Sequence, residues 1–221
     1  MSSIVGFDID SDRTIGEEGG FLAIRRLRMR NRRADGSQSD PYLCDYAFRP
    51  KGLDAVVVAL YHRSPERGLQ VLVRDELRPP LWLARGGEGV PVAGERTEVL
   101  FTGVVAGIIE ADDRGEAGIR RRAAIEAWEE AGYDVDPGEV ELLGAGTFPT
   151  PGALPEKFWL AAAAIDDPAA KGEPPGDGSP LEEGAALRWL DIDGAIAACV
   201  AGDIADAKTE LIFRRLKDAR G

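Results

Sequence analysis

Alternating apolar and polar positions first appear at residues 21–30 and 42–48, on either side of a turn at Asp35-Gly36-Ser37, and predict an antiparallel strand pair. Residues 54–61 carry the unbroken apolar run Val56-Val57-Val58-Ala59-Leu60, a strand covered on both faces, and 69–76 returns beside it as a hairpin across Ser64-Pro65-Glu66-Arg67-Gly68. The apolar run 99–105 is strand-like, whereas 117–131 is rich in good helix formers and is closed by Gly132. Residues 140–148 and 157–165 read as strands around a turn at 149–156, followed by a strand at 186–191 and a short helix at 192–201. Helical spacing of Ile204, Ala207, Leu211, Ile212 and Leu216 places a last helix over 204–219. Strands before and after one central helix predict an α/β/α sandwich with a mixed sheet, preceded by the antiparallel pair. The division expected is a strand extension at 1–50 and a main domain at 51–221. Two stretches, the Gly-rich insertion at 84–98 and the Pro/Gly-rich 169–180, read as mobile loops.

Composition narrows the function classes. A net charge of −12 argues against broad binding to nucleic acid or to an anionic membrane. The one basic run, Arg25-Arg26-Leu27-Arg28-Met29-Arg30-Asn31-Arg32-Arg33, alternates as the exposed face of a strand. No apolar run approaches the roughly 20 residues that span a bilayer, and Met1 to Asp8 lacks a basic leader region, which points to the cytoplasm. Cys44 and Cys199 are too few for a disulfide framework. His62, the only histidine, stands beside a turn, so chemistry built on histidine is disfavoured. Trp82, beside the insertion, is a candidate to stack on a base.

The chemistry concentrates on the central helix. Glu126, Glu129 and Glu130 stand at i, i+3 and i+4, so Glu126 faces both others within one turn, at a cost of roughly 0.2–0.5 kcal/mol per like-charge pair. A solvated acidic face is one reading, and a hard divalent cation that removes the repulsion is the other. The apolar run, Ala106-Gly107, a polar loop and the glutamate helix follow one another in the order of the Nudix box, G-x5-E-x7-R-E-U-x-E-E-x-G-U, with U an aliphatic or aromatic residue. Glu126-Ala127-Trp128-Glu129-Glu130-Ala131-Gly132-Tyr133 resembles its second half, and Gly107 matches its opening glycine. The segment from Gly107 to Glu126 is four residues longer than the pattern, which leaves Glu116 to stand for the middle glutamate. Ile125 occupies the place of the box arginine, and Arg122, one turn before Glu126, could supply that charge.

The flanks resemble one branch of the family, the ADP-ribose pyrophosphatases. Pro149-Thr150-Pro151-Gly152 with Glu156 is similar to its P-S-P-G-x-x-x-E loop, Val73-Arg74-Asp75-Glu76-Leu77-Arg78-Pro79 to its V-x-Q-F-R-x-P segment, and Asp206-Ala207-Lys208-Thr209 to its D-A-K-T segment. The resemblance implies a Nudix-type sandwich and a Mg²⁺-dependent hydrolase, with Mn²⁺ as a possible substitute, that splits a nucleoside diphosphate sugar, ADP-ribose first. It further implies that Glu126, Glu130, Glu116 and the carbonyl of Ala106 hold metal while Glu129 supports them. Glu156 would act as base or additional ligand; Arg74, Arg78, Pro151 and Gly152 would bind substrate. Glu182 and Glu183 match an acidic pair in the family. Diphosphate hydrolysis needs an aimed water, a cation on the phosphate oxygens and a carboxylate to take the water's proton, and these residue types supply them. The E-A-W-E-E-x-G-Y helix and lengthened box also resemble animal UDP-glucose pyrophosphatases, leaving a UDP-sugar as the alternative substrate. A non-catalytic nucleotide-sugar-binding module is the alternative of another class. In this branch N-terminal strands exchange between subunits, so a homodimer is expected.

Overall fold

In the computed structural model, which describes residues 3–16, 20–85, 99–176 and 178–221, the chain divides into two units. One comprises Met1–Asp54 with Phe148–Lys157, the other Ala55–Thr147 with Phe158–Gly221. Residues 86–98, nearly all of the Gly-rich insertion, lie outside the described residues.

The second unit is built on β4 (Ala55–Ser64), whose apolar run is buried on both sides as its sequence predicts. Val56, Val58 and Leu60 pack with Ala123, Ala127 and Ala131 of α2 (Gly115–Ala131), while Val57 and Ala59 pack with residues of α3 (Ile192–Ala201) and α4 (Ala207–Arg220). One strand therefore separates two helical layers, and the unit is an α/β/α sandwich. The sheet runs β10 (Ala186–Asp191), β5 (Gly68–Leu77), β4, β9 (Phe158–Ala164), β8 (Glu141–Leu142); β4 and β9 are parallel, which makes it mixed.

The run expected as one strand at 99–105 forms two: β6 (Leu100–Gly103) pairs with β5, and β7 (Val105–Ile108) pairs with β4. The chain changes neighbours at Val104, whose N–H donates to Thr209 Oγ1 at 3.1 Å. Asp206 in turn accepts from the Thr209 hydroxyl and from Lys208, each at 2.6 Å, so the Asp206-Ala207-Lys208-Thr209 segment pins this crossing to the start of α4. The strand expected at 140–148 shrinks to β8 and a bridge from Thr147 to Phe158. A short helix, α1 (Pro79–Arg85), opens on two prolines where their missing N–H groups cost nothing, and carries half-exposed Trp82. His62 Nδ1 lies 2.8 Å from the Ile165 carbonyl. Burial pushes the Cys199 thiol up to about 11.

The first unit contains the predicted pair, β2 (Ala23–Arg33) and β3 (Tyr42–Phe48), and a further strand, β1 (Ile4–Ile15), which together make an antiparallel sheet in the order β1-β2-β3. The basic run lies on β2 and is answered within the sheet: Arg25 pairs with Asp12, Arg26 with Asp45, Arg30 with Asp10 and Arg32 with Asp8. No helix among the described residues is long and apolar enough to cross a membrane.

Candidate active site

The small residues Gly118, Ala123, Ala124, Ala127 and Ala131 on the buried face of α2 let the helix lie close to the sheet. That closeness decides the setting of Glu126. A Cβ added at Gly107 would stand 1.8 Å from Glu126 Oε1, so only glycine leaves room for the carboxylate against β7. Arg122, one turn earlier, reaches Glu126 at 3.9 Å and also pairs with Glu110 at 3.1 Å and Asp113 at 2.8 Å. Asp113 is the buried member of this group. Burial alone would raise its carboxyl, but hydrogen bonds from Arg122, the Glu110 N–H and Arg121 outweigh burial and hold it below the usual carboxylate range.

Glu130 is fixed at both oxygens. Its Oε2 accepts from the Ala106 N–H at 3.1 Å, and its Oε1 accepts from Arg74 on β5 at 3.0 Å. Arg74 is only 5% exposed and donates also to Glu76 at 3.2 Å, while Glu76 pairs with Arg78. The guanidinium of Arg74, a residue expected from the sequence to bind substrate, is engaged with two carboxylates. Arg78 keeps a partly exposed side chain. Glu76 escaped the sequence reading, although its i+2 spacing from Arg74 puts both on one face of the strand.

Arg74, Glu129 and Glu130 line a cavity of about 290 Å³ together with Lys171, Glu173 and Leu187. Lys171 and Glu173 belong to the Pro/Gly-rich stretch expected to be a mobile loop. It is instead fastened to the end of α2: the Gly172 N–H donates to the Gly132 carbonyl at 2.8 Å and the Gly176 N–H to the Glu129 carbonyl at 3.1 Å. Residues 166–176 thus act as a strap over the end of the helix.

Among the described residues no three His, Cys, Asp or Glu side chains converge as a metal cage. Glu126 faces Gly107 and Arg122, Glu130 faces Arg74 and Ala106, and Glu129 faces the cavity. Glu116 is exposed in the first turn of α2, ten residues and thus about 15 Å along the axis from Glu126, so the structure does not bring it to the other glutamates. Two partly buried carboxylates one turn apart still fit Mg²⁺, which commonly takes one or two carboxylates and leaves its remaining positions to water and phosphate.

In the first unit Glu156 is 3% exposed and ion-paired with Arg49. Arg49 lies 5.6 Å from the centroid of the Phe21 ring, and its buried Nε has no hydrogen-bond partner. Pro151 and Gly152 are exposed in a turn closed by the N–H groups of Ala153 and Leu154 on the Thr150 carbonyl, at 3.0 and 2.9 Å. Nothing in the sequence near Arg49 announces this pairing, because its partner is 107 residues away.

No family model and no curated protein sequence matches the chain. Among solved structures it is similar to an ADP compounds hydrolase, at 11% identity and a TM-score of 0.62, over 99% of this chain and 96% of the other. A NUDIX hydrolase from Alicyclobacillus acidocaldarius aligns at 13% identity over 73% of this chain and 89% of its own, with a TM-score of 0.49. A Nudix hydrolase from M. smegmatis, RenU, aligns at 13% over 84% and 90%, with a TM-score of 0.44. β7, the 109–114 loop and the glutamate-bearing α2 follow one another within a mixed-sheet sandwich, and the chain has the Nudix hydrolase fold.

Proposed function

We propose that the protein is a Mg²⁺-dependent hydrolase of nucleoside diphosphate sugars, acting in the cytoplasm and splitting ADP-ribose into AMP and ribose 5-phosphate. The observation that carries this reading is the pair Glu126 and Glu130, held one turn apart at β7 by Gly107, Arg122 and Arg74, with Glu130 on the wall of a cavity of about 290 Å³. A random acidic helix face would not have its carboxylates partly buried and individually tethered. The adenine preference draws on the structural neighbour described as an ADP compounds hydrolase.

Glu126 and Glu130 are the residues that would hold the ion, and the ion when bound would neutralise the diphosphate oxygens and lower the pKa of water. The chain's own groups do the rest. Glu129, on the cavity wall, supports the metal ligands and stands to orient a water. Arg78, with one side open, contacts a phosphate oxygen. In the reaction the water oxygen forms a bond to phosphorus as the bridging P–O bond breaks, the water's proton passes to a carboxylate, and the leaving phosphate takes the bond's electrons. Glu156 is the proposed acceptor of that proton, a role that requires its pairing with Arg49 to open. Pro151 and Gly152, exposed in the same turn, are proposed to border the substrate.

The deciding experiment is turnover of ADP-ribose, UDP-glucose, GDP-mannose and nucleoside triphosphates in Mg²⁺, read as phosphate released by an added phosphatase. Hydrolysis of a diphosphate sugar that vanishes in Glu130→Gln is expected. Preference for UDP-glucose would move the substrate to the UDP-sugars; binding without turnover of any compound in Mg²⁺ or Mn²⁺ would make the protein a nucleotide-sugar-binding module.

A further inference from the structure

We propose that Arg74 is a positioning residue that fixes Glu130 for metal binding, and that it supplies from the sheet the positive charge the helix lacks at Ile125. The inference rests on the hydrolase reading above and deepens it. Arg74 sits in the middle of β5, opposite Gly103 of β6 and Leu187 of β10, where a bare cation would be strongly disfavoured. Two carboxylates stabilise it there. One guanidinium nitrogen, Nη1, donates to Glu76 Oε2 at 3.2 Å and to Glu130 Oε1 at 3.0 Å, and Arg78 balances Glu76 from the other side. The row Arg78, Glu76, Arg74, Glu130 alternates in charge and runs from the partly exposed end of β5 inward to α2.

The consequence falls on Glu130. Its two oxygens are claimed by donors from two different strands, Arg74 of β5 and Ala106 of β7, so the carboxylate plane cannot turn without losing one of them. Glu126 is placed by other means, the room left at Gly107 and the reach of Arg122. The two proposed metal ligands are thus set by two arginines outside the helix position that Ile125 fills, one from the preceding turn and one from the neighbouring strand. An arginine so committed acts through Glu130 and not on substrate, which separates its signature from that of a phosphate clamp.

The test compares Arg74→Gln, Arg74→Lys and Glu130→Gln by three measurements: the backbone amide signal of Ala106 in ¹⁵N-labelled protein, Mn²⁺ affinity by titration, and kcat and KM for ADP-ribose. In Arg74→Gln the Ala106 amide is expected to move toward its position in Glu130→Gln, Mn²⁺ affinity to fall roughly 10–100-fold, and kcat to fall with KM nearly unchanged. Arg74→Lys keeps the buried charge but lacks the planar fork, so it should shift the same amide partway and recover part of the Mn²⁺ affinity. It also serves alone if Arg74→Gln does not fold. An Ala106 amide at its wild-type position in every folding Arg74 variant overturns the proposal. So does a tenfold rise in KM with Mn²⁺ affinity intact, the signature of a clamp. Wild-type protein that binds no Mn²⁺ and turns over nothing would defeat the hydrolase reading, while the amide signal would still decide whether Arg74 holds Glu130.

Discussion

Gly107 shows how much chemistry a missing side chain can carry. Its place in the motif was legible from the sequence, but the reason for it is steric: Glu126 fills the space a Cβ would take. Gly107→Ala should therefore push Glu126 out of place and weaken Mn²⁺ binding roughly 10–100-fold, measured by titration; an unchanged affinity would mean that Glu126 is not a ligand. Asp113 gives the opposite lesson. In the sequence it is the twin of Asp112, and only the fold buries it between Arg121 and Arg122 while leaving its neighbour exposed. Because its folded-state pKa is depressed, the stability it contributes is present above the unfolded carboxylate value of about 3.9 and is lost as pH falls through the lower folded value. Melting temperature should consequently drop more steeply on acidification below about pH 4 in the wild type than in Asp113→Asn, which has no such proton to take up. Equal slopes would remove Asp113 from the acid response.

At the scale of elements, the sandwich could be read because β4 is apolar at every position of its centre, a pattern that only a doubly covered strand explains. The strap could not. It is fastened by backbone groups, Gly172 to Gly132 and Gly176 to Glu129, and peptide hydrogen bonds leave no side-chain signature, so a Pro/Gly-rich stretch looks the same docked or free. Two glycines allow the docking to be measured. Gly132 closes α2 at φ 73°, and a Cβ there would stand 2.3 Å from the Gly172 carbonyl oxygen; Gly178 has φ 76° with nothing within 4 Å of its Cβ. Both substitutions to alanine incur the left-handed backbone penalty of roughly 1–2 kcal/mol, but only Gly132→Ala also forces the strap away from the helix. Its loss should exceed that of Gly178→Ala by at least about 1 kcal/mol, roughly 2–4 °C in melting temperature, with a higher KM because Lys171 and Glu173 leave the cavity wall. Equal losses in the two variants would show that the strap contributes nothing to stability.

For the whole molecule the open question is what the first unit is for. Among its described residues only Ala23, Leu27 and Met29 are buried apolar side chains, a slender core for a three-stranded sheet. On β1, Phe7 and Ile9 are 57% and 56% exposed, and both stand on one face with Met29 and Tyr42. The alternation of Phe7 and Ile9 with Asp8 and Asp10 could have revealed β1 from sequence. The opposite face carries the Arg26–Asp45, Arg30–Asp10 and Arg32–Asp8 pairs, each worth no more than about 1 kcal/mol at such exposure, so it holds the strands in register without supplying a core. Exposed apolar side chains on the edge strand of a sheet are what a second copy can use, by covering the face or by exchanging the strand. We therefore expect a homodimer, with a mass in solution of twice the 23.7 kDa chain at micromolar concentration. Replacing Phe7 and Ile9 together by aspartate should give a monomer whose second unit still melts cooperatively, since none of that unit's buried residues is touched. A wild-type monomer at every concentration would sink the dimer, and a dimer undisturbed by the double substitution would move its interface off β1.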